Sequence, residues 1–309
     1  MVTTRSTRGI ARTIHSPTAR REAIYGYLFI APAVLGFLIW VAGPMLFSAW
    51  VSLTEWDLLS APEFVGFSNY QAMLKDPLFG QSLRVTAYFT LVSVPLFQAL
   101  ALAVALLMNV NVRGISFFRT IYYLPSIVPV VANAMLWSWV FNSEFGLLNA
   151  GLRAIGLPKV LWLQNPNWAM PALITMSLWG IGGAMLIYLA GLQGVPQHLY
   201  EAAELDGASY WHRFRHVTIP MISPVIFFNL LMGLIGALQT FTQGYIITNG
   251  GPQNSTLFYA LYIYRRAFTD FKMGYAAALA WVLFVIVLVL SVLVFRYLGR
   301  QVHYEDEGR

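Results

Sequence analysis

Residues 196–224 read PQHLYEAAELDGASYWHRFRHVTIPMISP, and this stretch decides how the rest of the chain is organised. It is the longest strongly polar stretch between the two terminal regions that is not rich in turn residues. Pro196 suits the first position of a helix, where a missing N–H costs nothing, and Gly207 suits a helix end. A second short helix is expected over 208–216. The two prolines near the end of the stretch mark entry into an apolar segment. The pattern predicts a helix–turn–helix elbow between two membrane spans.

The composition is that of a polytopic membrane protein. Of 309 residues, 58% are hydrophobic and 10% are charged, whereas a soluble domain carries about 25% charged residues. No soluble domain of ordinary size remains once the apolar segments are set aside. Cysteine is absent, which excludes disulfides, thiolate metal sites and cysteine nucleophiles.

Six segments are long and apolar enough to cross a membrane, a crossing that takes about 20 residues. The expected fold is therefore all-α, with six transmembrane helices and a cytoplasmic coupling helix pair. Pro32 and the Gly43–Pro44 pair are expected to bend the first of them. The six predicted spans are 24–53, 83–108, 117–141, 169–192, 221–247 and 275–298.

The distribution of Lys and Arg predicts the orientation. The expected organisation is a basic cytoplasmic tail at 1–23, a six-helix transmembrane domain at 24–298 with its cytoplasmic loop at 196–220, and a cytoplasmic tail at 299–309. With the N-terminus inside, the inner segments hold 12 positive residues and the outer loops hold 6. This excess favours both termini inside. It also places the elbow in the cytoplasm, where ATP is found.

The elbow carries a specific resemblance. Glu201-Ala202-Ala203, then Gly207, then Val217-Thr218-Ile219-Pro220 resembles the EAA loop of permease subunits of ABC importers. That family pattern is EAA, three residues, Gly, nine residues and Ile-x-Leu-Pro, and here Val217 and Ile219 depart from it mildly. The resemblance implies that the elbow docks into a cleft on a cytoplasmic ATPase. The implied coupling residues are Glu201, Ala202, Ala203, Asp206, Gly207 and Ala208.

Three further segments are similar to the carbohydrate, maltose-permease-like branch of that family. They are LAGLQ at 189–193, DGA at 206–208 and NGGPQNST at 249–256, and the whole resemblance covers roughly 27–295. It implies import of a sugar or short oligosaccharide across the cell membrane by alternating access, as in type I ABC importers. The implied partners are a second homologous permease, an ATPase dimer, an extracytoplasmic solute-binding protein and membrane lipid. ATP and Mg would be bound by the ATPase, with no catalytic residue and no cofactor in this chain.

The apolar segments contain no Asp or Glu. Ion-coupled transporters usually place ionisable groups there, so the sequence disfavours an ion-coupled secondary transporter, and it offers a membrane enzyme no paired carboxylates. No G-x-x-x-x-G-K-[ST] phosphate loop is present, which assigns ATP to another chain. The absence of a mid-membrane cation favours a neutral substrate. An importer of the same class for a non-sugar solute, such as glycerol phosphate, remains the alternative. The basic charge fits membrane orientation better than nucleic-acid binding.

Polar residues in the predicted spans form stripes at helical spacing. In the fifth span, positions 229, 233, 236, 240 and 243 share one face of a helix, and 177, 180, 184, 188 and 191 do so in the fourth. Two interpretations stay open, because small and polar residues also serve helix packing. Packing is favoured for the glycines. The side chains expected to line a substrate path are Asn133, Trp137, Tyr188, Asn229, Thr240 and Gln243.

Two other patterns also allow two interpretations. The stretch EFVGFSNY at 63–70 is either an interfacial aromatic cluster or a docking surface for a binding protein. His212 and His216 are four residues apart, which is compatible with a metal. Without a third ligand, a solvated or partner-facing surface is the favoured interpretation, and no metal site is predicted.

Overall fold

A computed structural model of the chain describes residues 17–299. Of the predicted terminal tails, 1–23 and 299–309, residues 1–16 and 300–309 lie outside these residues. The first helix begins at Pro17, so the end of the predicted N-terminal tail is helical.

The described residues form an almost entirely helical fold, as predicted. The first half comprises α1 (Pro17–Phe37), α2 (Gly43–Val51), β1 (Thr54–Glu55), β2 (Glu63–Phe64), α3 (Ser68–Lys75), α4 (Pro77–Met108), α5 (Ile115–Ile127), α6 (Val130–Val140) and α7 (Leu147–Ala154). The second half comprises α8 (Pro166–Leu178), α9 (Gly182–Gln193), α10 (Gln197–Leu205), α11 (Tyr210–Arg213), α12 (Ile219–Met221), α13 (Ser223–Leu238), α14 (Tyr259–Tyr264) and α15 (Met273–Leu298). Single π-helical turns occupy Leu38–Ala42, Phe214–Thr218, Gly244–Thr248 and Arg265–Thr269.

Three helices are each long and apolar enough to cross a membrane, namely Arg20–Val51, Pro77–Met108 and Met273–Tyr297. Three bent helix pairs pass the same test when each is taken together. They are α5 with α6, α8 with α9, and the segment Tyr210–Met221 with α13, bent by 97°, 46° and 68°. The described residues thus contain between three and six candidate spans, in the regions that the sequence predicted.

Two prolines sit directly after π-helical turns. Gly43 N–H bonds to Leu38 O before Pro44, and Ile219 N–H bonds to Phe214 O before Pro220. The wider turn absorbs the proline, which cannot donate its own backbone hydrogen bond. Helix therefore runs continuously over Arg20–Val51, and Gly43–Pro44 does not break the first span.

The long helix α4 is the centre of the packing. It lies against α8, α9, α13 and α14, and its buried residues extend from Ser82 to Met108. One apolar cluster joins its first half to 257–262, and another joins its second half to α9 and the start of α13. The end of α4 near Met108 therefore lies beside the elbow, and the end near Pro77 lies on the far side.

The first helix makes almost no contact with the rest of the chain. No described residue of α1 is buried, and Phe29 is 90% exposed. None of the apolar window of Arg20–Val51 is buried, although its mean hydropathy is 2.0. An apolar helix that is exposed all round must be covered by lipid or by another chain.

The continuous stripes predicted in the fourth and fifth spans are wrong in one respect. The helix α13 ends at Leu238, and Thr240 lies in a non-helical break before the next helical turn. Thr240 and Gln243 are therefore not on the same helix as Asn229. The fourth span is likewise interrupted between Leu178 and Gly182. Periodicity alone could not locate these breaks, because the helical spacing of the polar and small residues continues across them.

Candidate functional site: the elbow and the polar clusters between the helices

The turn of the elbow is built around Gly207, which has φ +75°. Gly207 N–H bonds to Glu204 O at 3.0 Å and Ala208 N–H bonds to Ala203 O at 2.9 Å. This is the Schellman pattern that closes a helix on a left-handed residue. The predicted helix stop is confirmed, although Pro196 precedes α10 in an extended conformation rather than occupying its first position.

The second elbow helix is longer than predicted. It begins at Tyr210 rather than at 208, because the Ser209 side chain caps it by accepting from His212 N–H. It then continues through a π-helical turn to Met221 instead of stopping at 216. Pro220 lies inside this helix, so it does not mark the start of a new segment.

Side chains hold the two elbow helices together. Glu204 forms an ion pair with Arg213, and Tyr200 Oη lies 3.0 Å from Thr218 Oγ1. These contacts fix the angle between α10 and the following helix. They leave the remaining surface of the elbow free for a partner.

The predicted coupling residues lie mostly at the surface of the elbow. Glu201, Ala202, Asp206 and Gly207 are exposed. The other two, Ala203 and Ala208, are partly buried. The structure therefore brings all six into one short helix and its turn.

Sequence reasoning missed three exposed apolar side chains on the same elbow. Leu205 is 90% exposed, Trp211 is 73% exposed and Tyr210 is 62% exposed. Aromatic side chains of this kind carry much of the binding energy at protein interfaces. The available signal was their position in an otherwise polar loop.

The histidine pair on the elbow makes a local contact. The rings of His212 and His216 stack at 4.1 Å, and His216 Nδ1 lies 3.0 Å from His212 O. Across residues 17–299, no group of three His, Cys, Asp or Glu side chains could hold a metal ion.

Two of the predicted path residues meet through a third residue that the sequence analysis did not select. Gln98 of α4 donates to Asn229 O of α13 at 2.7 Å and accepts from Tyr188 Oη of α9 at 2.9 Å. Gln98, Tyr188 and Asn229 are 9%, 1% and 4% exposed. A Cβ added at Gly233 would lie 2.8 Å from Gln98 Nε2. Gly233 therefore makes room for this contact, which supports packing for that glycine. A lone amide in an apolar segment was the signal for Gln98.

The other predicted path residues lie nearer the far side. Trp137 packs against Phe141 and Trp179, with ring centroids 5.1 and 5.9 Å apart, and its indole N–H is buried without an acceptor in the described part of the chain. Asn133 is partly buried one turn earlier on α6, which packs against the turn Gly244–Thr248. Gln243 directly precedes that turn and is also partly buried, whereas Thr240 is 8% exposed.

On the far side, Asp76 forms the centre of a polar network. It caps α4 by accepting from Leu78 N–H at 2.9 Å. It also accepts from Arg266 Nη2 at 2.8 Å, from Tyr275 Oη at 3.1 Å and from Tyr262 Oη. Burial acts to raise the pKa of the Asp76 carboxyl. The hydrogen bonds from Tyr262 and Leu78 N–H and the Arg266 charge outweigh it and hold the pKa below its usual value.

The far-side network borders an open cleft of about 1000 Å³. The predicted outer segment 63–70 contributes one wall, because Glu63–Phe64 pairs with Thr54–Glu55. Asn69 Nδ2 donates to Ser52 O at 2.9 Å and to Thr54 O at 2.8 Å. These bonds give the segment a defined structure, and both interpretations of its exposed aromatic residues remain open.

A helical membrane protein with such an elbow has the architecture of a transport permease, and comparison with known proteins identifies the family. Residues 98–303 match the family described as "Binding-protein-dependent transport system inner membrane component". The chain belongs to this family.

Relatives match along nearly the whole chain. A probable ABC transporter permease protein, YesP of Bacillus subtilis (strain 168), is 43% identical over 94% of this chain and 96% of its own length. The lactose transport system permease protein LacF of Rhizobium radiobacter is 37% identical over 94% of this chain and 99% of its own length. The protein is an ABC transporter permease, as the elbow motif predicted.

The fold is also similar to a solved structure. A chain in the crystal structure of a bacterial ABC transporter involved in the import of the acidic polysaccharide alginate superposes with a TM-score of 0.79. The match covers 92% of this chain and 97% of that one, at 24% sequence identity. The predicted all-α permease fold is confirmed.

Proposed function

We propose that the chain is the pore-forming subunit of an importer for a sugar or short oligosaccharide, driven by ATP hydrolysis in a separate ATPase dimer. The observation that carries the proposal is the elbow, a rigid polar turn that exposes Leu205 and Trp211 together with Glu201. The sequence has no phosphate-binding loop and only three lysines, at 75, 159 and 272. ATP and Mg are therefore assigned to the partner, and this chain supplies no catalytic residue.

The exposed first helix supports a second permease subunit. A single-pass helix in lipid can be exposed all round, but α1 belongs to a polytopic chain whose other apolar helices pack together. A homologous partner would cover part of α1 and complete the translocation path between the two subunits. An extracytoplasmic solute-binding protein would dock on the far side, where the cleft beside 63–70 opens.

The orientation of this proposal has both termini and the elbow in the cytoplasm. The supporting observation is the excess of Lys and Arg on the elbow side. The far-side cleft and the 249–256 loop then face the outside of the cell membrane.

A sugar is favoured over a phosphorylated solute. The side chains around the helix breaks are amides, hydroxyls and aromatic rings, which suit a substrate rich in hydroxyl groups. A glycerol phosphate would place a dianion among them, and the middle of the apolar segments offers no cation to pair with it, since Arg84 and Arg119 lie near segment ends. The lactose permease named above is similar over its full length, which agrees with a neutral sugar.

We expect Gln243→Ala to lower substrate uptake about tenfold, because it removes a hydrogen bond to substrate that water cannot replace in a dry path. Asn229→Ala and Thr240→Ala are expected to have smaller effects, since both side chains are buried in helix contacts. The measurement is uptake by vesicles holding the complete complex, with lactose, maltose and glycerol 3-phosphate offered through the cognate binding protein.

Gln71→Ala is the matched control, because it removes the same amide from an exposed position of α3. Uptake that is normal in all three path variants would assign the polar residues to packing. Uptake of glycerol 3-phosphate alone would replace the sugar by the alternative solute.

A further inference from the structure

The helix α4 holds polar contacts at both of its ends. On the far side, Thr86 Oγ1 accepts from Tyr259 N–H at 2.8 Å, which satisfies a backbone donor in the first turn of α14. Gln81 Nε2 reaches Asn254 O at 3.4 Å, and Asp76 binds Tyr262 and Arg266. These bonds attach the outer loop and α14 to the first half of α4.

At the elbow end, an apolar cluster packs α4 against α9 and the start of α13, and Gln98 adds hydrogen bonds to this packing. The Gln98 side chain bonds to Tyr188 in α9 and to the Asn229 carbonyl in α13. The helix α9 enters the elbow and α13 leaves it. Gln98 is therefore hydrogen-bonded to both helices that flank the elbow.

These contacts lie along one continuous helix of 32 residues, which also contains Pro95. At 1.5 Å per residue the whole helix is about 48 Å long, and the stretch from Asp76 to Gln98 is about 33 Å. A side-chain bond in the hydrocarbon region has no water to replace it. A movement of α9 and α13 at the elbow is thus transferred to α4 for as long as the Gln98 bonds hold.

We propose that Gln98 is a positioning residue for transport, which makes α4 follow the elbow and so connects ATPase action to the outer loop 249–256. The inference rests on the proposed function, because it assigns the driving force to an ATPase at the elbow. It goes beyond that function by naming α4 as the connecting element and Gln98 as its attachment to the elbow-flanking helices. Gln98 and its two partners are all buried. We therefore expect Gln98 to act by holding α4 in position against α9 and α13.

The test uses the complete complex in lipid nanodiscs, with the variant Gln98→Leu. This substitution removes both hydrogen bonds and replaces the amide by an apolar side chain of similar size. Basal ATP hydrolysis should remain, because the elbow surface is untouched. Stimulation of hydrolysis by loaded binding protein should fall about tenfold, the effect of losing two buried hydrogen bonds from a coupled equilibrium. Tyr188→Phe, which removes one of the two bonds, should give an intermediate loss.

A second readout separates positioning from simple packing. The chain has no cysteine, so Gln253→Cys places a single thiol on the exposed outer loop. Its labelling rate by an impermeant maleimide should change when a non-hydrolysable ATP analogue is added to the complex. In the Gln98→Leu background, this response should disappear.

Thr90→Val is the matched control, because Thr90 lies on the same helix, is 4% exposed and has a hydroxyl without a hydrogen-bond partner among residues 17–299. It should retain stimulation and the labelling response. If Gln98→Leu and Tyr188→Phe match this control in both readouts, the inference is wrong. If the Gln98→Leu variant does not assemble into the complex, Tyr188→Phe is used alone: an intermediate loss supports the inference, and behaviour like that of Thr90→Val contradicts it. A parent complex in which binding protein never stimulates hydrolysis would instead contradict the proposed function.

Discussion

Gly207→Asp should abolish stimulation of ATP hydrolysis by loaded binding protein while the permease stays folded in the membrane. Two penalties act at this position. Gly207 has φ +75°, a conformation that costs a residue with a Cβ about 1–2 kcal/mol. Apart from its chain neighbours, no described residue has an atom within 4 Å of a Cβ built there, so the added carboxylate would project into the space that we assign to the ATPase.

Gly156→Asp is the control for backbone strain. Gly156 has φ +77° and equally open surroundings, but it lies in the 142–168 loop on the far side. Uptake and ATPase stimulation should be near normal in this variant. Equal losses in both variants would mean that strain, and not the elbow surface, causes the defect.

Glu201→Lys should uncouple transport in the same assay through charge reversal. Glu201 is the fifth residue of α10 and accepts from Gln197 Nε2 at 3.0 Å. It lies beyond the first helical turn, where the helix dipole favours a negative charge, so the dipole does not explain its position. Its exposure leaves the carboxylate available to a basic residue of the ATPase. Glu63→Lys, an exposed reversal on the far side, should leave ATPase docking intact, and equal loss of ATPase co-purification in the two variants would count against this role.

Asp76→Ala should destabilise the fold by about 3 kcal/mol, the lower end of the cost of leaving one partner of a buried ion pair alone, because this pair is partly buried. The side chains of Asp76 and Arg266 are 16% and 21% exposed. The variant also removes the cap of α4 and the acceptor of two tyrosine hydroxyls. The measurement is the loss of folded protein on heating or in denaturant, followed in detergent micelles.

Glu144→Ala is the matched control for this second prediction. Glu144 pairs with Lys159 at 2.9 Å, but their side chains are 70% and 55% exposed, and surface pairs contribute about 0–1 kcal/mol. If Glu144→Ala lowers the stability as much as Asp76→Ala does, the Asp76 network stabilises the fold no more than a surface ion pair.

The direction in which stability changes with pH follows from the lowered pKa of Asp76. A carboxyl whose pKa is lower in the folded protein stabilises it at pH values above the unfolded pKa, about 4. This contribution is lost as the pH falls through the lower folded pKa. The parent protein should therefore lose more stability than Asp76→Ala when the pH is taken from neutral to acid.

The elbow and the all-helical fold class could be predicted because both have signals in short stretches of sequence. A glycine at a helix end and the EAA spacing need no tertiary information, and the length of the apolar segments was enough to predict where the candidate spans lie. The breaks near Thr240 and Trp179 were missed because they depend on packing between helices. At Gly182, for example, a Cβ would collide with the backbone of Tyr122 and Tyr123.

The polar contacts show the same limit. The predicted stripes contained Tyr188 and Asn229, but no periodicity could pair them with Gln98, which is 90 residues from Tyr188. Asp76 and Arg266 are 190 residues apart, so their ion pair was equally invisible. Exposure of Leu205 and Trp211 also depends on the fold, since apolar residues beside membrane spans are usually covered.

Docking of the elbow on an ATPase can be tested by site-specific photo-cross-linking in native membranes. The photoreactive amino acid p-benzoylphenylalanine replaces Leu205 on the elbow in one variant and Gln253 on the outer loop in another. We expect the Leu205 variant to be cross-linked to a cytoplasmic subunit that binds ATP, identified by mass spectrometry, and we expect no such cross-link from the Gln253 variant. Capture of that subunit from position 253, or its absence at position 205 in a transport-competent complex, would show that the elbow is not the surface that docks on the ATPase.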